Sequence, residues 1–262
     1  MSGLLVANAD LSRAPAEGVQ DWISSSLIRW LDARKREHVA KATADLLNAD
    51  MHANASRRVG AKYPGRRSFH GRYWFSGSTQ HVQFESRFEQ IALEILDFDG
   101  DVAAVCWQPF EIDFGRKLAP FTHVPDFFVV RRDGTQSVLD VRPIEHLGER
   151  AMQSFLAAKA VCDAVGWDYN VFSWVDRTYR LNIEWLAGYR HPRNAPPPEC
   201  ETKLLNLYAQ PRRICEAAAA LPNWNPPLIT AWSYHMTWKR TLMTDLRTKL
   251  TEQHVFQAAQ DA

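Results

Sequence analysis

The chain has 262 residues, 46% of them hydrophobic and 23% charged, the proportions of a globular protein large enough to bury a core. Its 31 Lys and Arg balance 30 Asp and Glu to a net charge of +1, so bulk charge argues neither for nor against a nucleic-acid partner and only local clusters speak. Val102 to Phe110 is uncharged but far short of the roughly 18 apolar residues a membrane span needs, and Ala217 to Trp238 is broken by Pro222, Asn223, Asn225, Pro226 and Pro227, so no membrane partner is expected.

Met1 to Asp10 lack the basic start and apolar run of a secretory signal, which predicts a cytoplasmic chain. From Asp21 to about Leu47, the residues Trp22, Ile23, Leu27, Trp30, Leu31 and Val39 recur at roughly helical spacing and predict an N-terminal helical arm. Arg57, Arg58, Lys62, Arg66, Arg67 and Arg72 follow in a stretch free of acids and interleaved with Tyr63 and Phe69, and Pro64-Gly65 makes it a loop. Cations of this kind mixed with aromatics suit phosphate contacts and base or sugar packing, so these six residues are the candidate DNA-binding set.

Phe84, Phe88, Ile91 and Ile95 follow the i, i+4, i+7, i+11 pattern of an amphipathic helix that ends before Asp99-Gly100. Val102 to Phe114 reads as one strand interrupted at Pro109. Val124 to Arg131 and Ser137 to Arg142 flank an Asp133-Gly134 turn and read as a hairpin. Glu149 to Val165 sets Ala151, Phe155, Ala158, Cys162 and Val165 on one helical face, with Gly166 as its stop, and Trp167 to Val175 is a further strand. A strand, helix, strand succession of this length implies a parallel pair, so the expected fold is α/β, an αβββαβ core around a mixed sheet.

The proline-rich stretch His191 to Glu199 reads as a linker to a small C-terminal unit, with helices at Thr202 to Ala209, Arg212 to Leu221 and about Ala231 to Val255. The expected division is a helical arm and basic loop over 1–72, a core over 73–193 and a helical region over 194–262. Cys106, Cys162, Cys200 and Cys215 show no CxxC spacing and read as reduced packing residues, and His70, His81, His123 and His146 are too widely spaced for a zinc set.

Three acids stand where chemistry could use them: Glu89 on the first amphipathic helix, Asp126 after Pro125 at a strand start, and Asp140 near the end of the next strand. Carboxylates that cluster offer hard oxygen ligands of the kind that hold Mg²⁺ for phosphodiester hydrolysis. Glu85, one turn before Glu89, reads as an ion-pairing or supporting acid, and Gln108 as a side chain satisfying a buried neighbour. Through Pro125-Asp126 and Asp140-Val141-Arg142, with Glu89 as the helix acid, the sequence resembles the PD-(D/E)xK nuclease superfamily, whose restriction-endonuclease-like core has the same αβββαβ order.

A closer resemblance, over roughly Tyr73 to Arg193, is to the TnsA-type endonuclease subunit of heteromeric transposases. It is carried by Glu85-Ser86-Arg87-Phe88-Glu89, Leu96-Asp97-Phe98-Asp99, Gln108-Pro109-Phe110, His123-Val124-Pro125-Asp126-Phe127-Phe128, Asp140-Val141-Arg142-Pro143, and Trp185-Leu186-Ala187-Gly188-Tyr189-Arg190-His191-Pro192-Arg193. The resemblance implies cleavage of double-stranded DNA at transposon ends, one strand cut by this subunit and the other by an integrase-like transposase partner. It implies Mg²⁺, or Mn²⁺ in its stead, held by Glu89, Asp126 and Asp140, and a C-terminal winged-helix-like region that the helices after Thr202 match loosely.

Arg142 stands where such motifs carry lysine. Arginine keeps its proton, so Arg142 suits steadying a phosphate and not acting as a base; Lys159 on the next helix is the alternative amine. The same substitution supports a second reading, a catalytically idle nuclease fold serving as a DNA-binding or assembly subunit. A third is a nuclease acting alone in repair or defence.

Overall fold

A computed structural model describes residues 6–12, 23, 25–53, 56, 69–115, 122–251 and 253–259. The elements run β1 (Val6–Asn8), β2 (Leu27–Leu31), β3 (Glu37–Lys41), β4 (Gly71–Phe75), β5 (Gln80–Phe84), α1 (Arg87–Asp99), β6 (Val102–Trp107), β7 (Phe110–Asp113), β8 (Thr122–His123), β9 (Phe127–Arg131) and β10 (Gln136–Val141). They continue as α2 (Glu149–Val165), β11 (Asp168–Val175), α3 (Arg177–Ala187), α4 (Pro198–Tyr208), β12 (Arg212–Arg213), α5 (Ile214–Ala220), α6 (Pro226–Trp238), β13 (Leu242–Met243) and β14 (Val255–Ala258). The protein is mixed α/β, with six α-helices among the described residues, none of them long and apolar enough to cross a membrane.

Two compact units divide the chain: Val6–Leu93 with Asp101–Trp174, and Glu94–Gly100 with Val175–Ala262. In the first, a five-stranded sheet has the order β1-β11-β10-β9-β6. Strands β6, β9 and β10 run antiparallel in turn, and β10 runs parallel to β11 through the α2 crossover. The β9–β10 turn closes at Gly134, whose φ of 88° only glycine adopts freely, and Asp133 Oδ1 accepts the Thr135 N–H at 2.8 Å. Helix α2 ends at Gly166 in the left-handed region (φ 95°), as its sequence predicts.

The expected single strand over Val102 to Phe114 is two strands in two sheets. After β6 the chain turns at Gln108-Pro109 and enters a four-stranded sheet of order β3-β2-β7-β8. The two sheets share a core in which Phe110 of β7 and Phe128 of β9 pack on Trp167, with ring centroids 5.1 and 5.2 Å away.

The expected helical arm is instead the β2–β3 hairpin with two short 3₁₀ turns, Ala44–Asn48 and Met51–Ala53. The reason is non-local: β2 pairs with β7 as well as β3, and Arg29 reaches Asp113, 84 positions away, at 3.0 Å. Tertiary pairing overrides a helical spacing that local reading sees.

In the second unit, α4, α5 and α6 pack Leu204, Tyr208, Ala217, Trp232 and Met236 into one core with Phe256. A small sheet of order β12-β14-β13 completes it. This corrects the expected helix over Ala231 to Val255: α6 starts earlier, because Pro226 and Pro227 fit a first helical turn, and stops at Trp238. The C-terminal part of the unit begins at Val175, ahead of the proline-rich stretch, because α3 buries Ile183 and Leu186 in one cluster with Trp238. That stretch is itself structured, as a 3₁₀ turn at Pro192–Asn194 and the first turn of α4.

Candidate functional site

The β9–β10 pairing brings two of the three candidate acids together. Asp126 precedes β9, Asp140 lies on β10, and the antiparallel register Leu139↔Phe127 sets them side by side. The Asp126 N–H donates to Asp140 Oδ1 at 3.2 Å, and Asp126 Oδ2 accepts the Val141 N–H at 2.8 Å.

Asp140 is 3% exposed, and its second oxygen is occupied as well. Tyr169 on β11 donates its hydroxyl to Oδ2, and His123 Nε2 stands 2.8 Å from the same atom. The parallel register Asp140↔Val171 and Val138↔Tyr169 is what aims the tyrosine there. An ionised Asp140 requires Nε2 to donate, which leaves His123 Nδ1 to accept from Ser154 Oγ on α2 at 3.5 Å. The serine, histidine, aspartate order invites comparison with a nucleophile and its base, but Ser154 is buried on a packed helix face, so it supports the ring. Burial first, and then the Asp140 charge, hold the Tyr169 phenol well above its ordinary value, so it remains a donor.

Glu89 has a different task. Ser86 Oγ accepts the Glu89 N–H at 3.1 Å, and Glu89 Oε2 accepts the Glu85 N–H at 2.7 Å. The serine caps the first turn of α1, while the Glu89 side chain reaches back to the residue before it, a variant of the Ser-x-x-Glu capping box, in which the Ser86 N–H would be the donor. Burial raises the Glu89 carboxyl above its ordinary value, against the lowering effect of the Glu85 N–H.

The sequence reads Gln108 as a side chain satisfying a buried neighbour, and the structure adds an unusual backbone at that position. Its φ is +46°, in the left-handed region, although it is neither glycine nor followed by a residue that tolerates this, since Pro109 disfavours helical backbone before it. Its N–H donates to the Asp126 carbonyl at 2.8 Å, and its amide Nε2 reaches Glu85 Oε2 at 3.5 Å. Gln108 is 3% exposed and its Oε1 has no hydrogen-bond partner. A positive φ and an unpartnered buried oxygen at the same residue each cost stability. Glutamine before proline carries no sequence signal of that strain.

Arg142 is exposed, with its N–H on the Phe172 carbonyl and its Nε donating to the His146 carbonyl at 3.2 Å. Lys159 binds Asp163 one turn along α2 at 2.7 and 2.9 Å. Of the candidate DNA-binding set, Arg72 lies exposed on β4, and Arg57, Arg58, Lys62, Arg66 and Arg67 lie outside the described residues.

The donor chemistry suits a hard cation, but the arrangement does not fit one. Among the described residues no group of three or more His, Cys, Asp or Glu stands close enough to hold a metal ion. Glu89 Oε2 accepts the Glu85 N–H, and both Asp140 oxygens have hydrogen-bond partners. A scan against protein-family models and a search of curated proteins each found no match.

Proposed function

We propose that the chain is the nuclease-fold subunit of a heteromeric DNA transposase, acting on duplex DNA at transposon ends in the cytoplasm beside an integrase-like partner. The observation that carries this reading is the Asp126–Asp140 pair, joined across the β9–β10 hairpin at the strand positions that the sequence motif assigns. The succession α1, β6, β9, β10, α2, β11, with one parallel pair at its end, supports a restriction-endonuclease-like core. The order α4, β12, α5, α6, β13, β14, with β14 between its partners, supports a winged-helix-like second unit.

In this reading Asp126 and Asp140 form the reactive centre and Arg142 steadies a phosphate oxygen. Mg²⁺ would be the cofactor such carboxylates serve, supplying charge neutralisation at phosphate, but the acid pair as placed does not by itself fit the ion. Asp140 held by Tyr169 and His123 also favours a second reading, an idle subunit that contributes binding and assembly.

Strand cleavage separates the two. Supercoiled plasmid is incubated with Mg²⁺ or Mn²⁺ and the wild type, Asp126→Ala or Asp140→Asn, with and without a candidate transposase. Nicking that both substitutions abolish is the expected result. Duplex binding with no nicking under any condition would leave the idle subunit.

A further inference from the structure

From Met51 to Phe84 the chain holds six Lys and Arg and no acid. The β4–β5 hairpin closes this stretch as a two-stranded ribbon that no third strand joins among the described residues. Alternation along the strands divides its side chains between two faces. Tyr73, Phe75, Val82 and Phe84 are buried on one, while on the other Arg72, His81 and Gln83 are exposed and Trp74 is half-buried. The register Arg72↔Gln83 and Trp74↔His81 makes two cross-strand pairs of these outer four. Neither the Arg72 nor the Gln83 side chain makes a hydrogen bond or ion pair among the described residues.

Contacts fix which end of the ribbon meets the acid pair. The turn lies at the start of β6, where a Cβ on Gly77 would stand 2.6 Å from the Val102 carbonyl oxygen. From there β6 follows β9, with Val102 beside Arg131 at one end and Trp107 beside Phe127, the residue after Asp126, at the other. At that second end Glu85, directly after β5, takes the Gln108 amide at 3.5 Å, and the Gln108 N–H holds the Asp126 carbonyl at 2.8 Å. Arg72 and Gln83 are therefore the outer pair nearer the acids, Gln83 lying two residues, about 7 Å, from Glu85.

The chemistry of the outer face suits base edges. A face made for phosphates alone would repeat cations, whereas this one sets a single guanidinium beside a carboxamide and adds an imidazole and an indole, with no carboxylate on either strand. Guanidinium and carboxamide are the groups that bond purines bidentately, arginine to guanine and glutamine to adenine. The major groove, about 12 Å wide, admits a two-stranded ribbon. Successive pairs on one face stand about 7 Å apart, which matches two steps of about 3.4 Å along the duplex.

We propose that the outer face of the β4–β5 ribbon enters the major groove of the duplex beside the acid pair, with Arg72 and Gln83 bonding the edges of neighbouring bases. This rests on the DNA-processing reading above and gives it a sequence preference next to the cut. Arg72 then works with Gln83, which composition alone does not single out, and apart from the phosphate-contact candidates Arg57 to Arg67.

The test is selection by the full chain, in EDTA and 100 mM salt, from a duplex pool randomised over ten central base pairs, with the wild type beside Arg72→Lys/Gln83→Ala. Lysine keeps the charge and removes the fork that grips a guanine edge. The wild type is expected to enrich particular bases at two or three adjacent positions. The double variant, unfolding at the wild-type midpoint, is expected to lose that preference, binding the selected duplex at least about fivefold more weakly and the unselected pool within about twofold of the wild type. If its midpoint falls, Gln83→Ala alone, at an exposed position, gives the same comparison. The same bases enriched by the variant overturn the assignment of Arg72 and Gln83. A wild type without preference, or equal losses on selected and unselected duplex, overturns the groove contact while duplex binding stands. A wild type that binds no duplex even at 50 mM salt overturns both readings.

Discussion

Asp140 and Gln108 both touch Asp126, and they are satisfied to opposite degrees. Asp140 accepts from the Asp126 N–H just before β9, from the Tyr169 hydroxyl on β11 and, with Nε2 as donor, from His123 on β8. Gln108 holds the Asp126 carbonyl from a left-handed backbone before proline and leaves Oε1 unpaired. The first side of the site holds the fold together at that point. The second carries cost that the fold alone does not require, so changes on the two sides should separate stability from activity.

The largest effect is expected on the satisfied side. Asp140→Ala leaves the Tyr169 hydroxyl and the Asp126 N–H without an acceptor and should cost about 3–5 kcal/mol in urea unfolding. Tyr169→Phe removes one donor of several and should cost about 1 kcal/mol. Equal, negligible losses would mean that Asp140 is no hub.

On the strained side the order should reverse. Gln108→Gly relieves the positive φ but removes a buried side chain and loosens the unfolded chain, so stability should stay within about 1 kcal/mol of the wild type, while nicking falls. A stability loss with activity intact would make Gln108 an ordinary packing residue and erase the contrast.

Glu89 gives a smaller difference that depends on pH. Its folded pKa is raised by burial, so the stability it contributes is complete below the unfolded value near 4.5 and is lost as pH rises through the raised value. Glu89→Gln should therefore be more stable than the wild type at pH 7, and the two should converge at pH 4 and below in thermal unfolding. Smallest is Lys159→Ala, which breaks an exposed pair with Asp163 worth about 0.3–0.5 kcal/mol and should leave nicking unchanged.

What could be read from the sequence follows how local each signal is. Helix α2 announces itself through Phe155, Ala158, Cys162 and Val165 and its Gly166 stop, and the β9–β10 hairpin through Asp133-Gly134. The pairing of Asp126 with Asp140 follows from that hairpin alone. Strand β2 was illegible because Leu27, Trp30 and Leu31 keep near-helical spacing while their partners on β7 lie far along the chain. Strands β13 and β14 carry too few residues to show an alternating pattern. The Ser86–Glu89 cap was present as Ser-x-x-Glu but competed with a metal-ligand reading of the same glutamate. The strain at Gln108 has no local signature, since it arises where one sheet hands the chain to another.

The most direct measurement is the duplex affinity of Asp126→Asn beside the wild type, taken in EDTA so that no metal masks the charge. Asparagine retains an acceptor for the Val141 N–H and removes one negative charge. If the acid pair faces the phosphate backbone, the variant binds duplex several-fold tighter than the wild type at low salt, and the difference shrinks as salt screens the lost charge. An unchanged or weaker affinity, in a variant that unfolds at the wild-type midpoint, would set Asp126 away from DNA and contradict the assignment of this pair as the reactive centre.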